Sequence, residues 1–227
     1  MSRGYDTVIF DLDGTLLNTL EDLADSVNAA LVHFGRPERT LDEVRQFVGN
    51  GVLNLMERAV PEGKEAEDFQ QIYEWFKSYY STHSEVKTCA YDGIPELLQQ
   101  LAAQNFKMAI VSNKFHNAVC QLSEKYFGNL LPVSIGENEA AGIRKKPAPD
   151  TVFTALERLN STVDRAVYIG DSEVDAATAR NAGMDCILVS WGFRERELLA
   201  SFEPLAIADK PSDIWELLKR YNCADTE

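Results

Sequence analysis

The chain has 227 residues, 45% of them hydrophobic, and its 22 Lys and Arg against 36 Asp and Glu give a formal net charge of −14. So acidic a surface repels nucleic acid and anionic membranes, and any phosphate site within it needs local cations or a metal. There is no bilayer-spanning apolar run, acidic residues interrupt the N-terminal stretch where a signal peptide would be apolar, and Cys89, Cys120, Cys186 and Cys223 are scattered, which together predict a cytoplasmic protein with reduced thiols.

The first apolar run, Thr7–Leu12, reads as a buried strand, and Asp11-Leu12-Asp13-Gly14-Thr15 follows at its end. Residues 18 to about 85 hold no convincing strand. Thr19-Leu20-Glu21-Asp22 predicts a capping box opening a helix, with Leu20, Leu23, Ala24, Val27, Leu31 and Phe34 at helical spacing and Gly35 as its end. Thr40 to Glu43 predicts a second capping box. Val52, Leu55, Met56 and Ala59 mark a short helix, and Phe69, Ile72, Tyr73, Phe76 and Tyr79 a longer one whose aromatic positions read as core. From residue 93 the pattern changes to alternation. Apolar runs at Met108–Ser112, Val133–Gly136, Ala166–Gly170 and Cys186–Ser190, with a weaker one at Leu205–Ala208, alternate with helical patterns beginning at Pro95, Pro149 and Glu173, the last stopped by Gly183. The fold class is therefore α/β: a Rossmann-like parallel sheet, residues 1–17 and 86–227, with an all-helical domain, residues 18–85, inserted after the first strand.

Four polar clusters end or follow different strands. Asp11 and Asp13 alternate along extended backbone at the carboxyl end of the first strand, the edge where open α/β sheets bind ligands, and their mutual repulsion is relieved by a divalent cation or a shared proton. Ser112-Asn113 offers a hydroxyl and an amide without negative charge; alone it also reads as a helix N-cap. Arg144-Lys145-Lys146-Pro147 brings three cations together in an acidic protein, and a lysine beside a phosphate offsets its charge; a solvated basic loop is the plain alternative for Arg144 and Lys145. Asp171 stands at another strand tip with Asp175 one helical turn on, where Asp171 or Ser172 could equally serve as a helix cap. In a parallel sheet these strand ends meet on one edge, and four coincidences there are improbable.

At these residues the sequence resembles the haloacid dehalogenase-like hydrolase superfamily, whose four motifs read here FDLDGTL, VSN, KKP and GDSEVD in order, and within it the phosphoglycolate phosphatases. Val48-Gly49-Asn50-Gly51, Tyr91-Asp92-Gly93 and Ser190-Trp191-Gly192-Phe193-Arg194 echo that group, and the helical insert resembles a C1-type cap; Asn18 stands where many relatives carry Asp. The resemblance implies that Asp11 is the nucleophile, Asp13 the acid and base, and Lys146 the residue orienting Asp11. It implies that Thr15, Ser112 and Asn113 bind the phosphoryl group and that Asp11, Asp13 (through its carbonyl), Asp171 and Asp175 surround Mg2+. Gly49 and Asn50 form a candidate specificity loop over the substrate, with an ordinary turn between two helices as the alternative. Arg194 and Arg196 could steer an anion, although Arg-Glu-Arg-Glu alternation usually marks a solvated face.

The expected activity is hydrolysis of a small phosphorylated metabolite through an aspartyl phosphate, with no nucleic-acid or membrane partner and with monomer or dimer left open. Other enzymes on the same scaffold remain alternatives: an inorganic pyrophosphatase, a sugar-phosphate phosphatase or a β-phosphoglucomutase-like enzyme, the last disfavoured by Thr15. A phosphoacceptor or non-catalytic phosphate-binding protein is the reading from a different class; the helical insert and Asp13 speak against it.

Overall fold

The structure, a computed structural model, describes residues 4–138 and 142–223. The strands among the described residues are β1 (Thr7–Phe10), β2 (Leu17–Asn18), β3 (Cys89–Ala90), β4 (Lys107–Phe115), β5 (Val133–Glu137), β6 (Ala166–Gly170), β7 (Asp185–Val189) and β8 (Ala206–Ala208). The helices are α1 (Leu20–His33), α2 (Leu41–Phe47), α3 (Val52–Ala59), α4 (Phe69–His83), α5 (Ile94–Ala103), α6 (His116–Phe127), α7 (Asp150–Leu159), α8 (Glu173–Ala182), α9 (Arg196–Ala200) and α10 (Pro211–Cys223). No helix among the described residues is long and apolar enough to cross a membrane.

Six strands form one sheet in the order β5-β4-β1-β6-β7-β8, every neighbouring pair parallel. Both faces must therefore be covered, which is why the strands read as continuous apolar runs rather than as alternation. On one face Ile9, Val111, Ile135, Tyr168 and Leu188 pack with Val152, Ala155 and Leu156 of α7 and Ala176, Ala179 and Ala182 of α8. Alanines on α8 let that helix lie close to the sheet. β1 is central, flanked by β4 and β6, so the residues just past Phe10, Val111 and Gly170 emerge side by side. The sequence reading placed all six strands. β4 runs three residues beyond the predicted Ser112, through an irregular register between Val111 and Phe115, and the two-residue strands β2 and β3, which pair as a separate small sheet, are too short to leave a hydrophobic period.

Two compact units are present, Met1–Leu16 with Ala90–Glu227, and Leu17–Cys89. In the second, α1 buries Leu20, Leu23, Ala24, Val27 and Leu31, the face read from the sequence, and α4 buries Phe69, Ile72, Phe76 and Tyr80. Not every aromatic of α4 is core. Tyr73 and Tyr79 are half-buried, and His33, Trp75, Tyr79 and His83 stack ring on ring along the helix surface.

The Thr40–Glu43 capping box is formed, with Glu43 N donating to Thr40 Oγ1 at 3.2 Å and Thr40 N to Glu43 Oε2 at 2.8 Å. The box expected at Thr19 is not. Thr19 makes no cap bond and its buried hydroxyl has no hydrogen-bond partner. Asp22 instead turns to the returning chain and accepts from Lys87 N at 2.9 Å and Thr88 N at 2.8 Å. A carboxylate accepts main-chain N–H groups from residues distant in sequence as readily as from its own first turn, and only the tertiary fold decides between them.

Replacing Asp22 by alanine strands two N–H groups beside a buried site and should destabilise the helical unit by about 2–4 kcal/mol. Glu21→Ala, which removes an exposed carboxylate from the same helical turn, should change stability by less than about 0.5 kcal/mol. Urea unfolding of the two variants measures the difference.

Candidate active site

β1 ends at Phe10, and Asp11 N still donates to Ile169 O of β6 at 2.8 Å, so the Asp11 backbone is fixed by the sheet although its side chain lies beyond it. Gly14 follows with φ +86; a Cβ there would come within 2.3 Å of Asp171 Oδ2, so only glycine allows the chain to turn this close to that carboxylate. At the end of β6, Gly170 is in the same position relative to Asp175, with a Cβ 2.3 Å from the Asp175 side chain. Ser172 caps α8, and Asp175 Oδ2 accepts from Ser172 Oγ at 2.6 Å and Asp171 N at 3.2 Å. The capping role and the site role fall on the same residues.

Lys146 joins these strand ends. Its ammonium lies 2.8 Å from Asp11 Oδ1, 2.7 Å from Asp175 Oδ1 and 3.1 Å from the Tyr168 hydroxyl, and it is only 3% exposed. Carboxylate oxygens of Asp11, Asp171 and Asp175 all lie within 4.8 Å of one another. The charge distribution follows from that crowding. Burial raises the Asp11 carboxyl to about 7, Asp175 and Asp13 add to the rise, and Lys146 opposes it. Burial, then Asp175 and Asp11, push Asp171 well above the ordinary carboxylate range, against Phe193 N and Arg194. For Lys146 burial works against the charge, but Asp11 and Asp175 outweigh it and hold the ammonium well above its ordinary value.

Asp13 is two residues from Asp11 but belongs to a different pair: Lys114 Nζ lies 2.8 Å from Asp13 Oδ1. Ser112 Oγ accepts from Lys114 N at 3.1 Å. The Asn113 side chain is committed elsewhere, its Nδ2 donating to Lys146 O at 3.0 Å and its Oδ1 accepting from Lys146 N at 2.8 Å, so it pins the loop that carries Lys146. Thr15 Oγ1 donates to Asp171 Oδ1 at 3.4 Å.

A further loop closes on Asp171. Phe193 N donates to Asp171 Oδ2 at 2.7 Å, Trp191 Nε1 donates to Thr15 O at 3.0 Å, and a Cβ on Gly192 would stand 2.4 Å from Asp171 Oδ2 and 2.5 Å from Gly14 O. Arg194 is not on a solvated face: its side chain is 10% exposed and donates to both Glu173 oxygens at 2.8 and 3.0 Å. Arg196 is exposed and pairs with Asp209, and Arg144 is exposed and pairs with Asp150.

The core residues read from the sequence, Asp11, Asp13, Thr15, Ser112, Asn113, Lys146, Asp171 and Asp175, thus share one edge of the sheet. Gly49 and Asn50 belong to the helical unit, in the turn between α2 and α3, where φ is 129° at Gly49 and 61° at Asn50. Sequence reasoning gave no role to Lys114 or the Tyr168 hydroxyl. For Lys114 a signal was present, a cation immediately after Ser-Asn in an acidic chain.

The donor set fits a hard divalent cation. Three buried carboxylates supply only oxygen ligands, two with proton affinity raised by burial and then by their carboxylate neighbours, and glycines at 14 and 192 keep carbon away from Asp171.

Comparison with known proteins agrees with this geometry. The family model described as haloacid dehalogenase-like hydrolase matches residues 8–189. The phosphoglycolate phosphatase of Psychrobacter arcticus is 35% identical over 224 residues, covering 94% of this chain and 96% of that protein. The phosphoglycolate phosphatase of Aquifex aeolicus is 31% identical over 219 residues, covering 94% and 97%. A crystal structure from Lactobacillus delbrueckii subsp. bulgaricus, provisionally named a phosphoglycolate phosphatase, superposes with a TM-score of 0.90 at 34% identity, covering 95% of this chain and 98% of that one. The chain belongs to the haloacid dehalogenase-like hydrolases.

Proposed function

We propose that the chain is a magnesium-dependent phosphatase of phosphoglycolate phosphatase type, which hydrolyses a small phosphomonoester in the cytoplasm through an aspartyl phosphate on Asp11. The observation that carries this reading is the buried cluster in which Lys146 binds both Asp11 and Asp175, while a separate carboxylate, Asp13, stands two residues from Asp11 outside that pairing.

Asp11 attacks phosphorus, and the bond from phosphorus to the leaving alcohol oxygen breaks as Asp13 supplies that oxygen with a proton. Asp13 then takes a proton from water, whose oxygen attacks the aspartyl phosphate; inorganic phosphate leaves and the Asp11 carboxylate returns. Lys146 orients Asp11 and offsets negative charge in both displacements. Ser112 accepts from Lys114 N, which leaves its hydroxyl proton for a phosphoryl oxygen. Asn113 supports phosphoryl binding through the Lys146 loop. Asp11, Asp171 and the Asp13 carbonyl would hold Mg2+, with Asp175 acting directly or through water. The bound cation supplies charge neutralisation between an anionic nucleophile and an anionic ester. Residues 18–85 act as a cap that excludes bulk water, with Gly49 and Asn50 in its specificity loop.

Turnover of p-nitrophenyl phosphate with and without Mg2+, followed by a panel of phosphoglycolate, sugar phosphates, nucleotides and pyrophosphate, tests the reading. It fails if no metal-dependent turnover occurs, or if a stable phosphoprotein accumulates. Asp11→Asn should abolish turnover, and Asp13→Asn should lower kcat by about 10²–10⁴-fold while the fold is retained.

Gly192→Ala places a methyl group against Asp171 and the Gly14 carbonyl, and should weaken Mg2+ binding by about 10–100-fold in calorimetry. The raised Asp11 carboxyl sets a pH dependence with a definite sign. Its folded value of about 7 lies above the ordinary 3.8, so the metal-free folded protein binds the extra proton. That term costs nothing below pH 4, erodes stability as pH rises from about 4 to about 7, and is constant above. Mg2+ replaces the proton, so its addition should raise the melting temperature more at pH 8 than at pH 5.

A further inference from the structure

Resting on the phosphatase reading above, we infer that Tyr168 is a positioning residue: its hydroxyl holds the Lys146 ammonium between two carboxylates and so keeps Asp11 aimed at phosphorus. An ammonium has three N–H groups. Three oxygens stand around that of Lys146: Asp175 Oδ1 at 2.7 Å, Asp11 Oδ1 at 2.8 Å and the Tyr168 hydroxyl at 3.1 Å. The two carboxylates are held unequally. Asp175 is anchored without the lysine, because its Oδ2 accepts from Ser172 Oγ at 2.6 Å and from Asp171 N at 3.2 Å. Among the described residues, Lys146 is the one hydrogen-bonding or ion-pair partner of the Asp11 carboxylate. The direction of Asp11 therefore depends on where the ammonium sits.

Tyr168 is itself firmly placed. It lies on β6 in register with Ile9 of β1, and its ring is fully buried in the core formed with α7 and α8. Its hydroxyl also stands 3.2 Å from Asp175 Oδ1 and 3.4 Å from Val111 O of β4, on the far side of β1. A hydroxyl that donates its one proton to either oxygen keeps a lone pair for Lys146. In the run Ala166-Val167-Tyr168-Ile169-Gly170 the phenol carries the one polar side-chain atom, and the fold brings that atom to the ammonium. A neutral oxygen suits the place, since it fixes the lysine without adding negative charge to Asp11, Asp171 and Asp175. With the hydroxyl removed, the ammonium settles on the better-anchored Asp175 and its hold on Asp11 loosens.

Tyr168→Phe removes the oxygen and keeps the ring. Two inhibitors of p-nitrophenyl phosphate hydrolysis, assayed with Mg2+, separate aim from charge. Inorganic vanadate keeps its four oxygens and adds the Asp11 oxygen as a fifth ligand, so it needs that carboxylate in line. Inorganic phosphate stays tetrahedral and needs only the charges and hydrogen bonds of the site. Tyr168→Phe should lower kcat about 10–100-fold, the scale of a small misplacement of a reacting group, with KM changed less than about twofold. It should raise the inhibition constant of vanadate at least about tenfold and that of phosphate less than about twofold. Inhibition constants do not depend on the fraction folded. An unchanged kcat, an unchanged vanadate constant, or equal weakening of vanadate and phosphate overturns the inference and leaves the phenol as a core residue. A Tyr168→Phe chain that does not fold, judged by circular dichroism, also overturns it, because the hydroxyl then serves the fold and not the aim of Asp11. All of these outcomes spare the phosphatase reading if the wild-type enzyme turns over p-nitrophenyl phosphate. A wild-type enzyme without that activity overturns both.

Discussion

The ammonium of Lys146 is the contact on which the site depends. Asp11, Asp171 and Asp175 crowd their carboxylates within 4.8 Å in a buried region, an arrangement that repels itself unless positive charge is present. Lys146 supplies part of that charge at 2.8 and 2.7 Å, and its buried position is tolerable because those same carboxylates surround it. Neither half is stable without the other. Much of the nearby polar structure serves this pairing: Tyr168 fills the remaining side of the ammonium, Asn113 ties down both backbone groups of Lys146, and Ser172 with the Asp171 amide fixes Asp175.

The sheet makes that pairing possible. With β1 between β4 and β6, three strand ends deliver Asp11, Ser112 and Asp171 to adjacent places without any loop having to reach across. Close delivery has a steric requirement, met by glycines. At Gly14, Gly170 and Gly192 a single methyl group would overlap a site carboxylate at 2.3–2.4 Å. These glycines are as much a part of the chemistry as the acids they admit.

How much of this was legible from sequence depended on the range of the interaction. The six strands and the acid pairs were readable because each is written within a few consecutive residues: an apolar run, then Asp-x-Asp-Gly or Gly-Asp. The face of α1 and the Thr40–Glu43 box were readable for the same reason. The roles that escaped are those decided by partners far along the chain. Thr19-Leu20-Glu21-Asp22 has the form of a capping box, yet Asp22 is taken by Lys87 and Thr88, 65 and 66 residues on. Asn113 offers an amide at a strand tip, as a phosphate ligand would, yet the main chain of Lys146 claims it. Arg194 sits in an Arg-Glu-Arg-Glu run that looks solvated, yet Glu173 draws it inward. In each case the local pattern named the chemical group correctly, and the fold chose which partner it would meet.

The net charge of −14 bears on the same point. A protein this acidic repels a phosphate ester at long range, so diffusion brings it no electrostatic help and all attraction must be local. Lys114 of β4 and Lys146 of the loop before α7, both at most 4% exposed, provide it. Among the described residues they face the carboxylates of Asp11, Asp13 and Asp175, with Asp171 beside them and Arg194 acting on Asp171, so acidic groups outnumber cations at the site. Where no cation is bound, burial and crowding raise the proton affinity of Asp11 and Asp171, so protons take up part of the excess charge. A divalent cation at these carboxylates would compete with those protons, which ties metal binding to pH.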